Sequence, residues 1–426
     1  MQTMLAVFYS FIKKNKIVLL FFCISIIVRV LYLILVKPPL QTADSGIYDG
    51  IAWNFIQGNG YSLSGQPFAG REPGYSLFFL APLYLLFGHN FLPVQIFQII
   101  LSSVFVFAIY FLIRKELSPT VATLVAFCVA LHPLLICYSS EILTEIPFTI
   151  LLFFGLWIAY ISIKRESAKL CIVAGILLGM AILTRFVAIF LPFALILFAH
   201  YYFREWKKTF RYGAIFISTM FLLVAPWIMR NYIVFDTFIF GRAGSSEIYW
   251  SGSYIPWDGE WLGYGTSPLK ELSPPSNTAT LAVDKVLMPL VFQNIKNNPI
   301  GVLKIWLKKP IKIFTKADFK TVLERENNIK GYSSKINFSF IRYFLTAINL
   351  IILLLWTIGL WSLRKSNPAL AVFLLLIIIY FLIFYLPVNP DSRYKIPLFP
   401  YLFIGAAVGF QHTTKFFLEK LRRAYI

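Results

Sequence analysis

Long apolar runs separated by short basic segments fill most of this chain. A helix needs about 20 mainly apolar residues to cross the hydrocarbon core of a bilayer. The clearest runs of that length are residues 17–36, 92–113, 144–163, 186–203, 211–229, 340–362 and 369–386. Shorter or more polar runs, which the interior of a bundle tolerates, occupy 119–137, 168–183 and 396–410. The pattern predicts an all-α polytopic membrane protein with about ten transmembrane helices.

The composition excludes a soluble domain, because 58% of the residues are hydrophobic and only 14% are charged. Basic residues lie before the first run, in the tail after the last run, and in short segments that follow an even number of predicted crossings. Lys and Arg of short loops stay in the cytoplasm. We therefore expect a multi-pass protein of the inner or plasma membrane, with both termini cytoplasmic and its active site extracytoplasmic.

The apolar stretch 75–87 is too short to cross the membrane comfortably, and we expect it to form an interfacial helix. If it crossed, every later basic loop would face outward. The chain then divides into three predicted parts. These are an N-terminal transmembrane module at 1–229 with an outer loop at 37–91, a mixed extracytoplasmic segment at 230–339, and C-terminal helices with a cytoplasmic tail at 340–426.

The net charge of +20 does not indicate binding to nucleic acid, because it is spread over the predicted cytoplasmic loops and a lysine-rich outer stretch. Several lysines of that stretch are spaced so that they share one helical face. The stretch includes Lys304, Lys308, Lys309, Lys312, Lys316 and Lys320. The face is either solvated and close to anionic lipid headgroups, or it recruits a phosphorylated lipid or substrate.

Ionisable side chains also collect at the predicted outer boundary, where charge is costly unless it is paired or lines a polar cavity. Asp44 precedes Tyr48 and Phe55 at helical spacing, so that it either caps a short helix or faces a site. One carboxylate with several guanidiniums suits transfer from a sugar phosphate. Arginines neutralise the departing phosphate, and a single carboxylate can take the proton from an acceptor hydroxyl.

Five motifs carry a resemblance to a known family. The first outer loop contains Asp44-Ser45-Gly46-Ile47-Tyr48 and Arg71-Glu72-Pro73-Gly74-Tyr75. The later ones are Glu141-Ile142-Leu143-Thr144-Glu145, Ile182-Leu183-Thr184-Arg185 and Arg393-Tyr394. In order and spacing they resemble C-type membrane glycosyltransferases, specifically the protein O-mannosyltransferase and aminoarabinose transferase branch of the dolichyl-phosphate-mannose-protein mannosyltransferase superfamily. Ser45 departs from the Asp-Glu pair of that family.

The resemblance implies a C-type glycosyltransferase fold with interfacial helices in the first outer loop. It implies that Asp44 is the catalytic base, while Arg185 and Arg393 are the expected ligands of the donor phosphate. The expected pocket for donor and acceptor is formed by Tyr48, Arg71, Glu72, Tyr75, Glu141, Glu145, Arg230 and Tyr394.

Structural roles compete with several of these assignments. Glu145 is also placed to pair with Arg185 and join two helices. Asp391 is close enough in sequence to bind Arg393, and Arg71 and Glu72 are able to bind one another. Arg29, in the middle of the first apolar run, is best explained by pairing inside the bundle.

The predicted function is transfer of a monosaccharide, with inversion, from a polyprenyl-phosphate-linked donor to a protein, lipid A or envelope glycan acceptor. Membrane lipids are expected partners. No cofactor or metal site is expected, because the four histidines and four cysteines have no ligand spacing; a divalent metal is compatible but not indicated. The alternatives are a transporter or flippase of the same sugar lipid, and a non-catalytic scaffold that binds a partner through 230–339.

Overall fold

The computed structural model describes residues 14–38, 43–260, 279–315 and 338–424. The helices of the first half are α1 Lys16–Val36, α2 Ala43–Ile56, α3 Pro73–Phe87, α4 Phe91–Arg114, α5 Pro119–Leu131, α6 Pro133–Tyr138, α7 Glu145–Lys164 and α8 Ala168–Thr184. Those of the second half are α9 Leu191–Phe203, α10 Trp206–Phe235, α11 Ser246–Ser253, α12 Ala279–Asn297, α13 Pro299–Thr315, α14 Phe338–Ser366, α15 Pro368–Tyr385 and α16 Phe399–Ala424. Strands β1 Ser62–Leu63 and β2 Gln66–Pro67 form one antiparallel hairpin.

Seven helices of the described chain are long and apolar enough to cross a membrane. They correspond to the seven clear runs of the sequence, which confirms an all-α, multi-pass membrane protein. The shorter predicted run 168–183 forms α8, and 396–410 lies within α16 and the 3₁₀ turn Ser392–Leu398 before it. Helix α3 covers the stretch that we expected to be interfacial. The total of ten crossings stays a prediction.

The predicted run 119–137 is broken into α5 and α6 at His132 and Pro133. Proline has no backbone N–H, so the carbonyl four residues earlier, at Val129, loses its helical donor. Arg29 of α1 replaces that donor. Its guanidinium donates to the carbonyl oxygens of Val129 at 3.1 Å and Ala130 at 2.8 Å, and to the hydroxyl of Ser102. Arg29 therefore supports the bundle, as the structural interpretation predicted.

Helix α7 lies at the centre of the bundle and is buried along most of its length. Helices α14 and α16 approach one another closely through glycines. A Cβ atom placed on Gly409 would lie 1.9 Å from the carbonyl oxygen of Leu355, and one on Gly359 would meet the backbone of Gly405. Small residues permit such contact between membrane helices, so this pair depends on glycine at these positions.

The first outer loop folds into a short unit of α2, the hairpin and α3. The hairpin turn has positive φ at Ser64 (51°) and Gly65 (76°), the combination that matches the twist of two-residue hairpins. Gly74, in the first turn of α3, lies against the end of α8, since a Cβ there would be 2.7 Å from the carbonyl oxygen of Leu183. This contact places the loop beside Arg185.

In the segment after α10, the described residues are mainly helical. The carboxylate of Asp284 in α12 accepts from the backbone N–H groups of Gly244 and Ser246, at 2.7 and 2.9 Å, at the start of α11. Lys309 of α13 is fully buried and donates to the carbonyl oxygens of Gly252 and Leu386. The segment is thus attached to the loop that carries Arg393.

The lysines of the predicted lysine-rich face lie in different environments in the structure. Lys308 and Lys312 lie near the carboxylate of Asp258, at 3.6 and 2.6 Å, and Lys312 also pairs with Glu260. Lys309 is buried, so it contributes to neither of the two surfaces that the sequence suggested. Lys316 and Lys320 lie outside the described residues.

Candidate active site

Asp44 lies between two arginines that are distant in sequence. In the first turn of α2, its two carboxylate oxygens each accept a hydrogen bond of 2.7 Å, one from Nη2 of Arg71 and one from Nη1 of Arg393. Arg71 follows the hairpin, and Arg393 belongs to the turn before α16. The three side chains are each about one-fifth exposed. Both oxygens are therefore used for side-chain ion pairs, and the three side chains remain partly exposed.

A second ion pair adjoins the first. Glu145, in the first turn of α7, is 1% exposed and accepts from Nη1 of Arg185 at 2.9 Å. The same Glu145 oxygen lies 3.8 Å from Nη1 of Arg393. Nε of Arg393 pairs with the carboxylate of Asp391 at 3.0 Å. The structure thus joins three arginines and three carboxylates into one cluster, which we call the arginine cluster: Asp44, Arg71, Glu145, Arg185, Asp391 and Arg393.

The arginine cluster has a strong effect on ionisation. Burial alone would raise the pKa of Asp44, but Arg393 and Arg71 hold it well below its usual range. Burial works against the charge of Arg393, and Asp391, Asp44 and Glu145 nevertheless raise its pKa. Glu145 likewise raises the pKa of Arg185 against the effect of burial. Asp44, Arg185 and Arg393 are therefore charged at neutral pH, and Asp44 is a weak base while Arg71 and Arg393 hold it.

Aromatic residues surround the arginine cluster. Tyr48 packs edge-on against Tyr75 with ring centroids 5.2 Å apart, and burial raises the pKa of Tyr48 to about 12. The hydroxyl of Tyr75 donates to Gln98 at 2.8 Å, so that this tyrosine supports the wall. Tyr394 stacks on Tyr385 with centroids 4.5 Å apart and ring planes within 6°. The rings limit access to the charged groups.

The other predicted site residues bind partners outside the arginine cluster. Glu72 is buried and accepts from the backbone N–H of Phe186 at 3.0 Å, so it binds the segment after α8 and not Arg71. Glu141 is also buried, and its carbonyl oxygen accepts from Gln98. Arg230 donates to the carbonyl oxygens of Tyr61 and Phe68, at 2.7 and 2.8 Å. Arg230 therefore clamps the base of the hairpin, away from Asp44.

Glu247 is a candidate that the sequence did not suggest. It lies in the first turn of α11, where burial raises the pKa of its carboxyl to about 7, although Arg242 and Arg71 act in the opposite direction. It lies early in the outer segment, in a stretch that carries no recognisable motif, and only the fold brings it near Arg71. Among the described residues, no group of three or more His, Cys, Asp or Glu side chains is arranged to hold a metal ion.

An apolar cleft of about 390 Å³ opens between the start of α9 and the end of α15. Its walls include Phe190, Phe193, Tyr380 and Phe384, and Tyr249 of α11 lies at its edge. Tyr385, next in sequence to Phe384, lies in the electrostatic field of Arg185 and Glu145. The end of α15 therefore borders the cleft through Phe384 and the arginine cluster through Tyr385.

Two solved structures share this arrangement of helices. ArnT from Cupriavidus metallidurans bound to undecaprenyl phosphate has a TM-score of 0.55 and 14% identity, with 93% of this chain and 60% of that chain covered. The oligosaccharyltransferase of Archaeoglobus fulgidus in complex with Zn and sulfate has a TM-score of 0.55 and 13% identity, with 94% and 49% covered. This chain thus spans about half to three-fifths of their lengths. The fold is that of the C-type membrane glycosyltransferases.

Residues 72–229 match the sequence model of the family described as dolichyl-phosphate-mannose-protein mannosyltransferase. No curated protein sequence matches the chain significantly. The family match over residues 72–229 and the fold together confirm the predicted resemblance to ArnT-like and protein mannosyltransferase-like C-type glycosyltransferases.

Proposed function

We propose that this chain is a membrane glycosyltransferase that transfers a monosaccharide from a polyprenyl-phosphate-linked donor to an acceptor outside the cytoplasm. The observation that carries the proposal is the placement of Asp44 between Arg71 and Arg393, with the Glu145–Arg185 pair adjacent. This arrangement provides one accessible carboxylate and three guanidiniums, which is the set required for transfer from a sugar phosphate. The family match supports the same reaction class.

In the proposed reaction, Asp44 takes the proton of an acceptor hydroxyl as the acceptor oxygen attacks the anomeric carbon. The bond from that carbon to the phosphate oxygen breaks, and its electron pair leaves with the lipid phosphate. Arg185 and Arg393 neutralise the developing charge on this leaving group. Because the nucleophile and the leaving group lie on opposite sides of the carbon, the product is inverted. No acid is needed for a phosphate leaving group.

Donor binding also prepares the base. Within the arginine cluster, Arg393 and Arg71 form ion pairs with Asp44 and keep it weakly basic. A donor phosphate competes for the same guanidinium, since arginine binds phosphate in bidentate geometry. When Arg393 turns to the phosphate, the pKa of Asp44 rises toward its usual range and its basicity increases. The donor therefore binds first, and the acceptor is activated only in its presence.

The apolar cleft between α9 and α15 suits the polyprenyl tail. Its walls are aromatic and aliphatic, and the end of α15 that borders it also carries Tyr385, which lies in the electrostatic field of Arg185. ArnT from Cupriavidus metallidurans binds undecaprenyl phosphate, and we infer a lipid phosphate of the same chemical class for this chain. We further propose that the termini are cytoplasmic and that the arginine cluster opens on the outer side of the membrane, as the placement of the basic loops indicates.

The experiment compares Asp44→Asn with wild type in two measurements on purified protein. The first is transfer from a panel of radiolabelled undecaprenyl-phosphate sugars to cell-envelope acceptors. The second is binding of undecaprenyl phosphate itself. We expect transfer to fall by about 10²–10⁴-fold, because a general base is lost. We expect binding to be unchanged or tighter, because a competitor for Arg393 has been removed.

Asp236→Asn is the matched control, since Asp236 is an exposed carboxylate just after α10 and outside the arginine cluster. It should retain wild-type transfer. Transfer at wild-type rate by folded Asp44→Asn protein would refute the assignment of the base. Movement of labelled donor across sealed vesicles without a new glycosidic bond would instead support a transporter.

A further inference from the structure

Helix α11 adjoins both the apolar cleft and the arginine cluster. Its Tyr249 lines the cleft between α9 and α15. The carbonyl oxygen of Ile248 accepts from the backbone N–H of Asn389, in the segment after α15, at 3.2 Å. Glu247 lies in the electrostatic field of Arg71. Three consecutive residues thus connect α11 to the cleft, to the segment after α15 and to the arginine cluster.

Both ends of α11 are anchored to neighbouring elements. At its start, the backbone N–H groups of Gly244 and Ser246 donate to the carboxylate of Asp284. Trp250 is 3% exposed and packs in an apolar cluster with α12. At the other end, the carbonyl oxygen of Gly252 accepts from two side chains of α13. A binding group on such a supported element is held in place for its ligand.

Glu247 carries a carboxyl group that the fold does not use. It is half-buried, yet among the described residues no hydrogen bond or ion pair includes this carboxyl group. The start of the helix does not require it as a cap, because Asp284 already binds the N–H of Ser246. A carboxyl group that is withdrawn from water without a donor is unfavourable. A ligand with hydrogen-bond donors would stabilise it.

The proposed reaction determines which part of the donor lies next to Glu247. The lipid phosphate binds Arg185 and Arg393, and the anomeric carbon lies beside Asp44. The sugar ring is attached to that phosphate and therefore lies close to Arg71, which binds Asp44 and faces Glu247. An ionised carboxylate only accepts hydrogen bonds, so it repels a phosphate and suits the hydroxyl groups of a sugar.

Resting on the proposed function, we propose that Glu247 binds hydroxyl groups of the transferred monosaccharide and thereby determines which sugar is accepted. Its oxygens accept from hydroxyls of the ring while the lipid tail lies against Tyr249. A sugar that lacks the bound hydroxyl leaves the carboxylate without a donor, and such a loss discriminates strongly between similar substrates. The ligand class at this site is therefore a hydroxylated sugar ring linked to a lipid phosphate.

The test measures the affinity of full-length protein in detergent for two ligands. One is undecaprenyl phosphate, and the other is the member of the panel of undecaprenyl-phosphate sugars that wild type binds most tightly. Glu247→Ala should weaken binding of the sugar-linked lipid by about tenfold, the scale of one hydrogen bond to a charged group. Binding of undecaprenyl phosphate should be unchanged, because that lipid has no sugar. In the transfer assay, KM should rise by about tenfold while kcat stays close to that of wild type.

Glu419→Ala is the matched control, since it makes the same change at an exposed carboxylate near the end of α16. It should bind both lipids as wild type does. Glu247→Gln keeps the shape and one acceptor oxygen of the side chain, and it should show an intermediate loss. A deoxy analogue of the sugar that lacks the bound hydroxyl should bind wild type more weakly, but should bind Glu247→Ala as the complete sugar does.

The contact should also depend on pH. The pKa of Glu247 is about 7, and the charged groups that face it are Arg242, Arg71 and Asp284. Hydroxyl donors favour the ionised carboxylate, so the affinity of wild type for the sugar-linked lipid should rise as the pH increases through this value. Glu247→Gln cannot ionise, and the ratio of the two affinities cancels titration of the lipid phosphate. A ratio that does not change with pH would overturn the proposed contact.

The remaining outcomes separate a sugar contact from a structural role. An equal loss of affinity for both lipids in Glu247→Ala would overturn the proposal, because Glu247 would then support the arginine cluster. Unchanged affinity for both lipids would overturn it as well. If wild type binds undecaprenyl phosphate but no sugar-linked lipid of the panel, the proposed function itself fails.

Discussion

Buried cations occur in two kinds of environment in this molecule. In the arginine cluster, Arg71, Arg185 and Arg393 pair with carboxylates and are about one-fifth exposed. Arg29 and Lys309 are fully buried and bind backbone carbonyl and hydroxyl groups, with no carboxylate within 4 Å among the described residues. Both environments satisfy the hydrogen-bond donors of the cation, but the bound carboxylate or carbonyl group differs.

The two environments differ in whether a ligand can replace the partner of the cation. A carboxylate such as Asp44 is a mobile anion on a side chain, and a phosphate of the same charge is able to take its place at Arg393. The carbonyl partners of Arg29 and Lys309 belong to helices and turns that cannot move without disrupting the fold. A partly exposed ion-pair cluster is therefore suited to ligand exchange, whereas a cation held by carbonyls is suited to support. The predictions below test this distinction.

The largest effect is expected in the arginine cluster. Arg393→Gln removes the guanidinium that is shared by Asp44, Asp391 and Glu145. Transfer should fall by about 10²–10³-fold, the usual result of removing one donor to a developing anion. Affinity for undecaprenyl phosphate, measured by titration in detergent, should fall by about tenfold or more.

Arg211→Gln is the control, since Arg211 is exposed near the start of α10 and outside the arginine cluster. It should leave both measurements unchanged. If Arg393→Gln lost stability but kept transfer and affinity, Arg393 would belong with Arg29 as a supporting cation, and the comparison between the two environments would fail.

Arg29→Met should show the opposite behaviour. It leaves the carbonyl groups of Val129 and Ala130 without donors in the bundle interior, at a cost of about 2–4 kcal/mol in the free energy of unfolding. Unfolding by sodium dodecyl sulfate in mixed micelles measures the loss. The folded fraction should bind undecaprenyl phosphate with wild-type affinity, and weakened binding at unchanged stability would contradict the assignment.

Much of the fold could be predicted from the sequence, because the membrane imposes a length and a polarity on each crossing. All seven clear runs correspond to helices that satisfy both conditions. The break at Pro133 also follows from local chemistry. The boundaries were less certain: we predicted that one crossing ends at 229, and α10 continues to Phe235 with Arg230 inside it. Hydropathy falls after residue 229, but the local sequence contains no signal that ends the helix before Phe235.

The sequence analysis identified only those ion pairs of the arginine cluster that it had considered as structural alternatives. The Asp391–Arg393 and Glu145–Arg185 contacts were expected as structural alternatives, and both are present. The Asp44–Arg393 pair joins residues 349 positions apart, and no local pattern encodes it. The suggested Arg71–Glu72 pair was wrong, because neighbouring side chains point in different directions and each found a partner in another element.

Lys309 provides a smaller test that depends on pH. Burial, with a contribution from Lys312, lowers its pKa from 10.5 in the unfolded chain to about 7. Between these values the unfolded state binds more protons, so stability rises as the pH increases. From pH 7 to pH 9 the gain from this group is about 2 kcal/mol. The measurement is the free energy of unfolding at both values of pH.

Lys309→Met should lack this gain, although it is less stable at every pH because two carbonyl groups lose their donor. The relevant quantity is the difference in slope between variant and wild type, which cancels the other titrating groups. An identical slope in both proteins would mean that Lys309 stays protonated, with a more favourable environment than its carbonyl partners provide.

The smallest effect is expected at Lys312, three residues from Lys309 and on the surface. It pairs with Asp258 at 2.6 Å and Glu260 at 3.0 Å, and the Asp258 side chain is 51% exposed. Lys312→Ala should cost less than about 1 kcal/mol in low salt, because water screens exposed pairs. In about 1 M NaCl the Debye length is near 3 Å, and the difference from wild type should vanish.

Lys285→Ala, at an exposed lysine of α12, controls for the loss of a positive charge. A loss of stability that persists in high salt would show that packing and fixed backbone dipoles stabilise Lys312, as they do Lys309. Lys312 would then be a supporting cation, although it lies near the surface.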